Sequence, residues 1–246
     1  MCYATLDTDA IGSCRLPAAV NGVVGFKGTY NLINMQGILE GTEPPDETII
    51  LLSHAGITSR SVMDTTLLLD VLSEKDPHAS ETNYSDSLVK NQKLRIGIAS
   101  NFKADEEISK VFRNAVEKIQ SLGHTTREIN VPFWNFSNGV KTIATDRKTI
   151  SKKFFKDIDL IILPTIPTTT PLIKEAKSDP QSLSAACTVF ANYYGLPAIT
   201  IPYGFDKREL PLGLQIVGKP MEDRVVLRLA YQYESVTKFI YKHPIR

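Results

Sequence analysis

The residues best suited to chemistry lie near the start of the chain, in the stretch Thr8-Asp9-Ala10-Ile11-Gly12-Ser13-Cys14-Arg15. Ser13 follows a glycine in a short turn, and a serine hydroxyl there can attack a carbonyl carbon once a base removes its proton. A Gly-Ser pair is common in ordinary loops, so the pair alone does not predict a nucleophile. The residues around it decide the interpretation.

Several motifs follow this stretch in a fixed order. Arg15-Leu16-Pro17-Ala18-Ala19 is followed by Gly22-Val23-Val24-Gly25-Phe26-Lys27, then by Gly56 to Asp64, Asp159 to Thr165, Gly195 to Ile199 and Leu210 to Gly218. Together they resemble the amidase signature family, whose nucleophile loop has the form Gly-Thr-Asp-Thr-Gly-Gly-Ser-Ile-Arg-x-Pro-Ala-Ala. The resemblance extends over nearly the whole chain.

This resemblance implies an α/β fold, with a mixed β-sheet flanked by helices. It also implies a reaction, the hydrolysis of a carbon–nitrogen amide bond with Ser13 as the nucleophile. The backbone N–H groups of Ala10, Ile11 and Gly12 would form the oxyanion hole. Asp9 and Arg15 would shape the loop without contacting the substrate, which would be a small-molecule amide.

Two residues of the loop depart from the family pattern. Ala10 and Ile11 stand where the family has threonine and glycine. Glycine adopts positive φ freely, whereas a β-branched residue is strained there. We therefore expect either a differently shaped loop or a strain of about 1–3 kcal/mol at Ile11.

The proton relay of the family is not found in this sequence. In the family, a lysine and a second serine upstream of the nucleophile carry its proton, but the twelve residues before Ser13 contain neither. We therefore expect one amidase-like domain over residues 1–246, incomplete at its N-terminus and inactive or weakly active alone. The alternatives are an active amidase completed by a separate N-terminal chain, or an amidotransferase-like subunit or binding protein. A homo-oligomer is a further possibility.

Two other residues could replace the expected groups. His54 could serve as a substitute base, although a histidine at a strand end is more often structural. Cys14 adjoins Ser13, but we expect its thiol to point away from Ser13 and to pack as a small buried hydrophobe.

Composition excludes several other classes of function. The chain of 246 residues carries 28 Lys and Arg against 27 Asp and Glu, so we expect no nucleic-acid surface. We find no P-loop, Rossmann or zinc-site pattern, and we expect no cofactor and no metal. No apolar run has a membrane-spanning length. Three scattered cysteines and no signal peptide indicate a cytoplasmic protein.

Periodicity predicts the elements that must hold this loop. Residues 48–52 and 94–98 have the pattern of buried strands, and residues 105–122 that of an amphipathic helix. A strand–helix–strand unit follows, with parallel strands. Ser61 is expected to be the N-cap of a helix, with Asp64 at the third helical position in an arrangement like a capping box. Residues 182–194 are expected to be helical. Residues 132–157 are a shortened version of the family's helical insertion.

Overall fold

The computed structural model describes residues 2–35, 37, 46–73, 83–179 and 182–242. One eight-stranded sheet runs through it, with the strands in the order β1-β3-β2-β7-β8-β6-β4-β5. The strands are β1 Ala4–Asp9, β2 Val24–Lys27, β3 His54–Ser59, β4 Arg95–Ala99, β5 Thr125–Ile129, β6 Leu160–Pro164, β7 Ala198–Phe205 and β8 Pro211–Gly218.

The sheet is mixed, as expected. Strand β4 lies between β5 and β6 and is parallel to both. All the other neighbours are antiparallel. The parallel pair β4–β5 is the predicted strand–helix–strand unit.

Helices cover both faces of the sheet. They are α1 Arg15–Asn21, α2 Glu47–Leu52, α3 Val62–Leu72, α4 Tyr84–Ser87, α5 Glu106–Ser121, α6 Ile143–Phe154, α7 Ile173–Ser178, α8 Val189–Tyr193 and α9 Asp223–Thr237. Strand β6 shows the layering: Leu160 and Ile162 belong to one core, whereas Ile161 and Leu163 belong to the core on the opposite face. Within the described ranges, no helix has both the length and the apolarity needed to cross a membrane.

Several predicted elements are confirmed. The Ser61 hydroxyl accepts a hydrogen bond from the Asp64 N–H at 3.1 Å and so caps the start of α3, while the Asp64 carboxylate accepts from the Ser61 hydroxyl at 2.6 Å. Helix α5 buries Ile108, Phe112 and Ile119, the positions that its periodicity marked. Gly123 follows it with φ +88°.

The strand predicted over residues 48–52 is wrong, because this run is helix α2. Asp46 caps the helix by accepting hydrogen bonds from the Thr48 and Ile49 N–H groups at 2.8 and 3.4 Å. The pattern of a short apolar run does not distinguish a strand from a buried helix. Here the N-cap at Asp46 favours the helix. The helix expected over 182–194 is confined to Val189–Tyr193. Parts of the predicted loops, residues 36, 38–45 and 74–82, lie outside the described residues.

Candidate functional site

Ser13 lies in the turn that joins β1 to α1, and it is exposed at the surface of the structure. The turn depends on Gly12, whose φ is +135°. A Cβ at Gly12 would lie 2.6 Å from the Thr188 hydroxyl and 2.9 Å from the Leu16 Cγ. Only glycine combines this φ with this space, so the residue before Ser13 is fixed by the geometry.

Of the two expectations for Ile11, backbone strain or a differently shaped loop, the structure shows no positive-φ strain at Ile11. The described non-glycine residues with positive φ are Asn31, Glu209, Met221 and Lys238, and Ile11 is not among them. The Thr188 hydroxyl instead donates a hydrogen bond to the Ile11 carbonyl and holds this part of the loop. The loop therefore makes its turn at Gly12 and leaves Ile11 in a conformation that a β-branched residue accepts.

A buried ion pair closes the base of the loop. Arg15 and Asp9 are each fully buried, and Arg15 donates from Nε and Nη2 to the two carboxylate oxygens of Asp9 at 3.0 and 2.9 Å. The Cys14 N–H also donates to Asp9, at 3.3 Å. This two-point geometry ties together the residues on both sides of Ser13. The loop-shaping role of Asp9 and Arg15 stays a prediction.

The same arginine ties the loop to elements that are distant in sequence. It donates to the side-chain oxygens of Gln215 on β8 and Asn192 on α8, and to the Thr188 carbonyl at 3.1 Å. Asn192 in turn donates to the Asp9 carboxylate at 2.9 Å. Burial alone would raise the pKa of Asp9, but the Arg15 charge and the hydrogen bonds from Arg15 and Asn192 outweigh it and hold this pKa far below its ordinary value. Asp9 is therefore a structural anion.

Three backbone N–H groups near Ser13 have no acceptor among the described residues. Within the described ranges, the N–H groups of Ile11, Gly12 and Ser13 donate no hydrogen bond. Unpaired N–H groups beside a nucleophile are what an oxyanion hole requires. Two of these groups, those of Ile11 and Gly12, belong to the predicted oxyanion hole, and the role of Ala10, Ile11 and Gly12 stays a prediction.

The described part of the chain provides no base for Ser13. Its hydroxyl forms no hydrogen bond with any described residue. His54 is 2% exposed on β3, its Nδ1 bonds the Leu52 carbonyl at 2.8 Å, and its buried Nε2 has no partner in the described structure. Burial and then the Lys27 charge lower the pKa of His54 well below its ordinary value. These contacts favour the structural interpretation of His54.

Cys14 has the buried role that was expected. It is 1% exposed, and its thiol donates to the Asp9 carboxylate at 3.1 Å and lies 3.3 Å from the Phe26 carbonyl. Burial, followed by the charge of Asp9, raises the pKa of this thiol well above its ordinary value. A protonated and enclosed thiol is a poor nucleophile, so Cys14 does not compete with Ser13.

A cleft of about 720 Å³ has Ile11 of this loop in its wall, whereas Ser13 is not among its lining residues. Its other walls are mainly apolar and include the aromatic residues Phe102, Phe133, Trp134 and Phe136. Trp134 stacks on Tyr193 at 4.8 Å between ring centroids and donates from Nε1 to the Gly139 carbonyl at 3.1 Å, which fixes its ring. This segment was expected to be a shortened pocket wall, but its aromatic lining was not predicted, although the Phe133–Phe136 cluster was the signal for it.

Comparison with known proteins gives one consistent family. The family model described as Amidase matches residues 1–146 and 137–227. Among curated proteins, a glutamyl-tRNA(Gln) amidotransferase subunit of Sulfurihydrogenibium sp. is 27% identical over 99% of this chain, and its counterpart in Thermodesulfovibrio yellowstonii is also 27% identical. The chain spans 66% of the length of each of these two relatives.

Solved structures agree with the fold. A 6-aminohexanoate cyclic dimer hydrolase superposes with a TM-score of 0.82 at 24% identity, over 98% of this chain and 66% of that one. The corresponding glutamyl-tRNA(Gln) amidotransferase subunit of Thermotoga maritima superposes with a TM-score of 0.74 at 24% identity, over 96% of this chain and 62% of that one. The mixed sheet and its helices therefore have the same fold as these two solved structures.

Proposed function

Because this chain belongs to the amidase family, we propose that Ser13 attacks the carbonyl carbon of a carboxylic amide. The Ser13 Oγ–carbon bond forms as the hydroxyl proton passes to a base, and the carbonyl oxygen becomes an oxyanion. The carbon–nitrogen bond then breaks, and the amine leaves with a proton. Water attacks the resulting ester, releases the carboxylate and restores the Ser13 hydroxyl.

One observation carries this proposal: an exposed serine follows a glycine that no other residue can replace, beside backbone N–H groups that have no acceptor in the described structure. The Asp9–Arg15 pair holds the loop in place. A loop anchored by a fully buried arginine can keep donors fixed while charge develops on the substrate, which is how an oxyanion hole acts.

The base is the part that the described residues do not supply. General base catalysis typically contributes about 10²–10⁴-fold, and groups that act as a unit fail together. We therefore propose that residues 1–246 form one amidase-like domain, with a shortened interval near 132–157, that is inactive or weakly active alone. A companion chain would complete it. The similarity to proteins named as amidotransferase subunits supports a companion and also an amidotransferase-like role.

The cleft supports a substrate class, and the cysteines support a location. The cleft walls of Phe102, Phe133, Trp134 and Phe136 fit an amide with an aromatic or long aliphatic group better than a strongly charged one.

We place the protein in the cytoplasm, because a reducing compartment keeps Cys2, Cys14 and Cys187 as the free thiols that they are here.

A labelling experiment with added base tests the proposal. The purified chain is incubated with a fluorophosphonate, which forms a stable bond to activated serines, and the adduct is located by mass spectrometry. Alone, the chain is expected to label slowly. Added propylamine can accept the Ser13 proton, so the rate should rise in proportion to its free-base concentration, by about tenfold or more.

Three variants decide how the result is interpreted. Ser13→Ala should abolish the adduct, and an adduct that persists would refute Ser13 as the nucleophile. His54→Asn, which keeps a donor for the Leu52 carbonyl, should label like the wild type. Fast labelling without amine that His54→Asn abolishes would show that His54 is the base.

A further inference from the structure

A second cleft, of about 540 Å³, opens on a different part of the molecule. It lies between the turn that joins β7 to β8 and the segment that follows α9, and Asn21 and Gly22 at the end of α1 line it. It shares no lining residue with the cleft that Ile11 lines. Helix α1 has seven residues and spans about 10 Å, so the nucleophile loop and this cleft lie at its opposite ends.

Two cations in this cleft form no ion pair with a described residue, although the charge of Arg60 acts on the buried carboxyl of Glu234. Neither Arg60 nor Lys242 forms an ion pair with any residue in the described ranges. Arg60 is held in place, because its Nη2 donates to the backbone carbonyls of Ile240 and Lys242. This leaves the Nε and Nη1 donors of its guanidinium without a partner in the described structure. A fixed guanidinium with unused donors is suited to bind a carboxylate.

The second cation rests on aromatic rings. The Lys242 ammonium lies 5.0 Å from the ring centroids of both Phe205 and Phe239, and these rings pack edge to face at 5.7 Å. Together with Pro202 and Pro211, the rings give the cleft an apolar wall. The cleft therefore presents positive charge beside an apolar surface.

The remaining charged residues of the lining leave one negative charge, that of Glu209. Arg208 is paired with Asp206 at 2.7 Å, so it adds little net charge. Glu209 forms no ion pair within the described ranges, and its carboxylate opposes an anion. The attraction for an anion must therefore come from Arg60 and Lys242.

We infer that this cleft binds an amphiphilic monocarboxylate, whose carboxylate pairs with Arg60 and Lys242 and whose aromatic or aliphatic body packs on Phe205 and Phe239. A carboxylate can bond the Arg60 fork at two points, and the rings give the body a surface to cover. Inorganic anions lack that body and bind more weakly. Neutral aromatic molecules lack the charge and bind more weakly as well.

Isothermal titration calorimetry of the whole chain with 2-naphthoate tests the inference. Arg60→Gln and Lys242→Gln are each expected to weaken binding by about tenfold or more, as the loss of a charge-assisted hydrogen bond does. Glu209→Gln should strengthen binding about two- to threefold by removing a like charge. High salt should weaken binding, because the charges lie near the surface.

Matched controls place the ligand in one cleft. Lys103→Gln removes a cation from the cleft that Ile11 lines, and it should leave 2-naphthoate binding unchanged. The neutral 2-naphthylmethanol and inorganic phosphate should each bind at least about tenfold more weakly than 2-naphthoate. The circular dichroism spectrum and melting temperature of each variant establish that it is folded.

Three results would overturn the inference. They are no measurable binding to the folded wild type, binding that Lys103→Gln weakens while Arg60→Gln does not, and equal binding of the neutral analogue. None of them bears on the labelling of Ser13, so the inference and the proposed function fail separately.

Discussion

Replacing Asp9 with asparagine should destabilise the protein strongly, because Asp9 is the only acid paired with Arg15 in the described structure. In Asp9→Asn, a fully buried guanidinium loses its counter-charge while its other partners stay in place. Removing one member of a buried pair typically costs about 3–5 kcal/mol.

The hydrogen bonds lead to a similar magnitude. One Asp9 oxygen accepts from Arg15 Nη2 and Asn192 Nδ2, and the other accepts from Arg15 Nε, the Cys14 N–H and the Cys14 thiol. In Asp9→Asn, the NH₂ group replaces one of these two oxygens, and at either place it faces at least two hydrogen-bond donors. Each lost bond to a charged partner is worth about 1.5–3 kcal/mol, so the free energy of unfolding should fall by about 3–5 kcal/mol.

Urea denaturation followed by circular dichroism measures this loss from the midpoint and slope of the transition. Asp159→Asn is the matched control, because the Arg95–Asp159 pair has the same chemistry with side chains that are 51% and 21% exposed. Its loss should be below about 1 kcal/mol. Similar losses in the two variants, or a loss below about 1 kcal/mol for Asp9→Asn, would refute the argument that this pair fixes the loop.

Three further predictions concern the turn, the pH dependence and the cleft. Gly12→Ala should lower the free energy of unfolding by about 2–4 kcal/mol, because of the φ and the close contacts at this position, and should slow Ser13 labelling. The control Gly123→Ala, at a position with φ +88° and nothing within 4 Å, should lower it by about 1 kcal/mol and leave labelling unchanged. Equal effects of the two variants would contradict the steric argument. Burial raises the pKa of Glu234 to about 7 from 4.5, so the folded state favours the protonated acid. The stability that this preference contributes is lost as the pH rises through 7. The free energy of unfolding of the wild type should therefore fall by about 2–3 kcal/mol from pH 5 to pH 8 in urea denaturation, and Glu234→Gln should remove that fall. The single tryptophan, Trp134, lines the cleft that Ile11 also lines. Benzanilide added to Ser13→Ala should therefore change the tryptophan fluorescence, and an unchanged spectrum would argue against an apolar substrate in this cleft.

Much of the fold follows from local patterns in the sequence. The period of α5, the capping box at Ser61 and the apolar run of β6 each indicate an element without reference to the rest of the chain. Strands β1 and β3 were not predicted, because Ala4–Asp9 is half exposed and His54–Ser59 is rich in small and polar residues. They form by pairing with each other over six residue pairs, which no local pattern reveals.

The candidate site was predictable where a residue's type determines its role. The motif and its order single out Gly12, Ser13, Asp9 and Arg15 as residues of the loop, but they do not reveal that Asp9 and Arg15 pair with each other. The hydrogen bonds from Arg15 to Asn192 and Gln215 could not be predicted, because they join residues 177 and 200 positions apart. The conformation of Ile11 also depended on such a distant partner, Thr188.

The most direct test of the central claim is the intact mass of the protein after incubation with p-nitrophenyl benzoate and propylamine. The nitrophenolate leaves without needing a proton. Acylation of Ser13 therefore requires only that a base, here propylamine, removes the proton of the Ser13 hydroxyl. We predict a single benzoyl group that maps to Ser13 and is absent in Ser13→Ala. A benzoyl group that remains in Ser13→Ala, or that maps to Cys14 or Cys187, would contradict this claim.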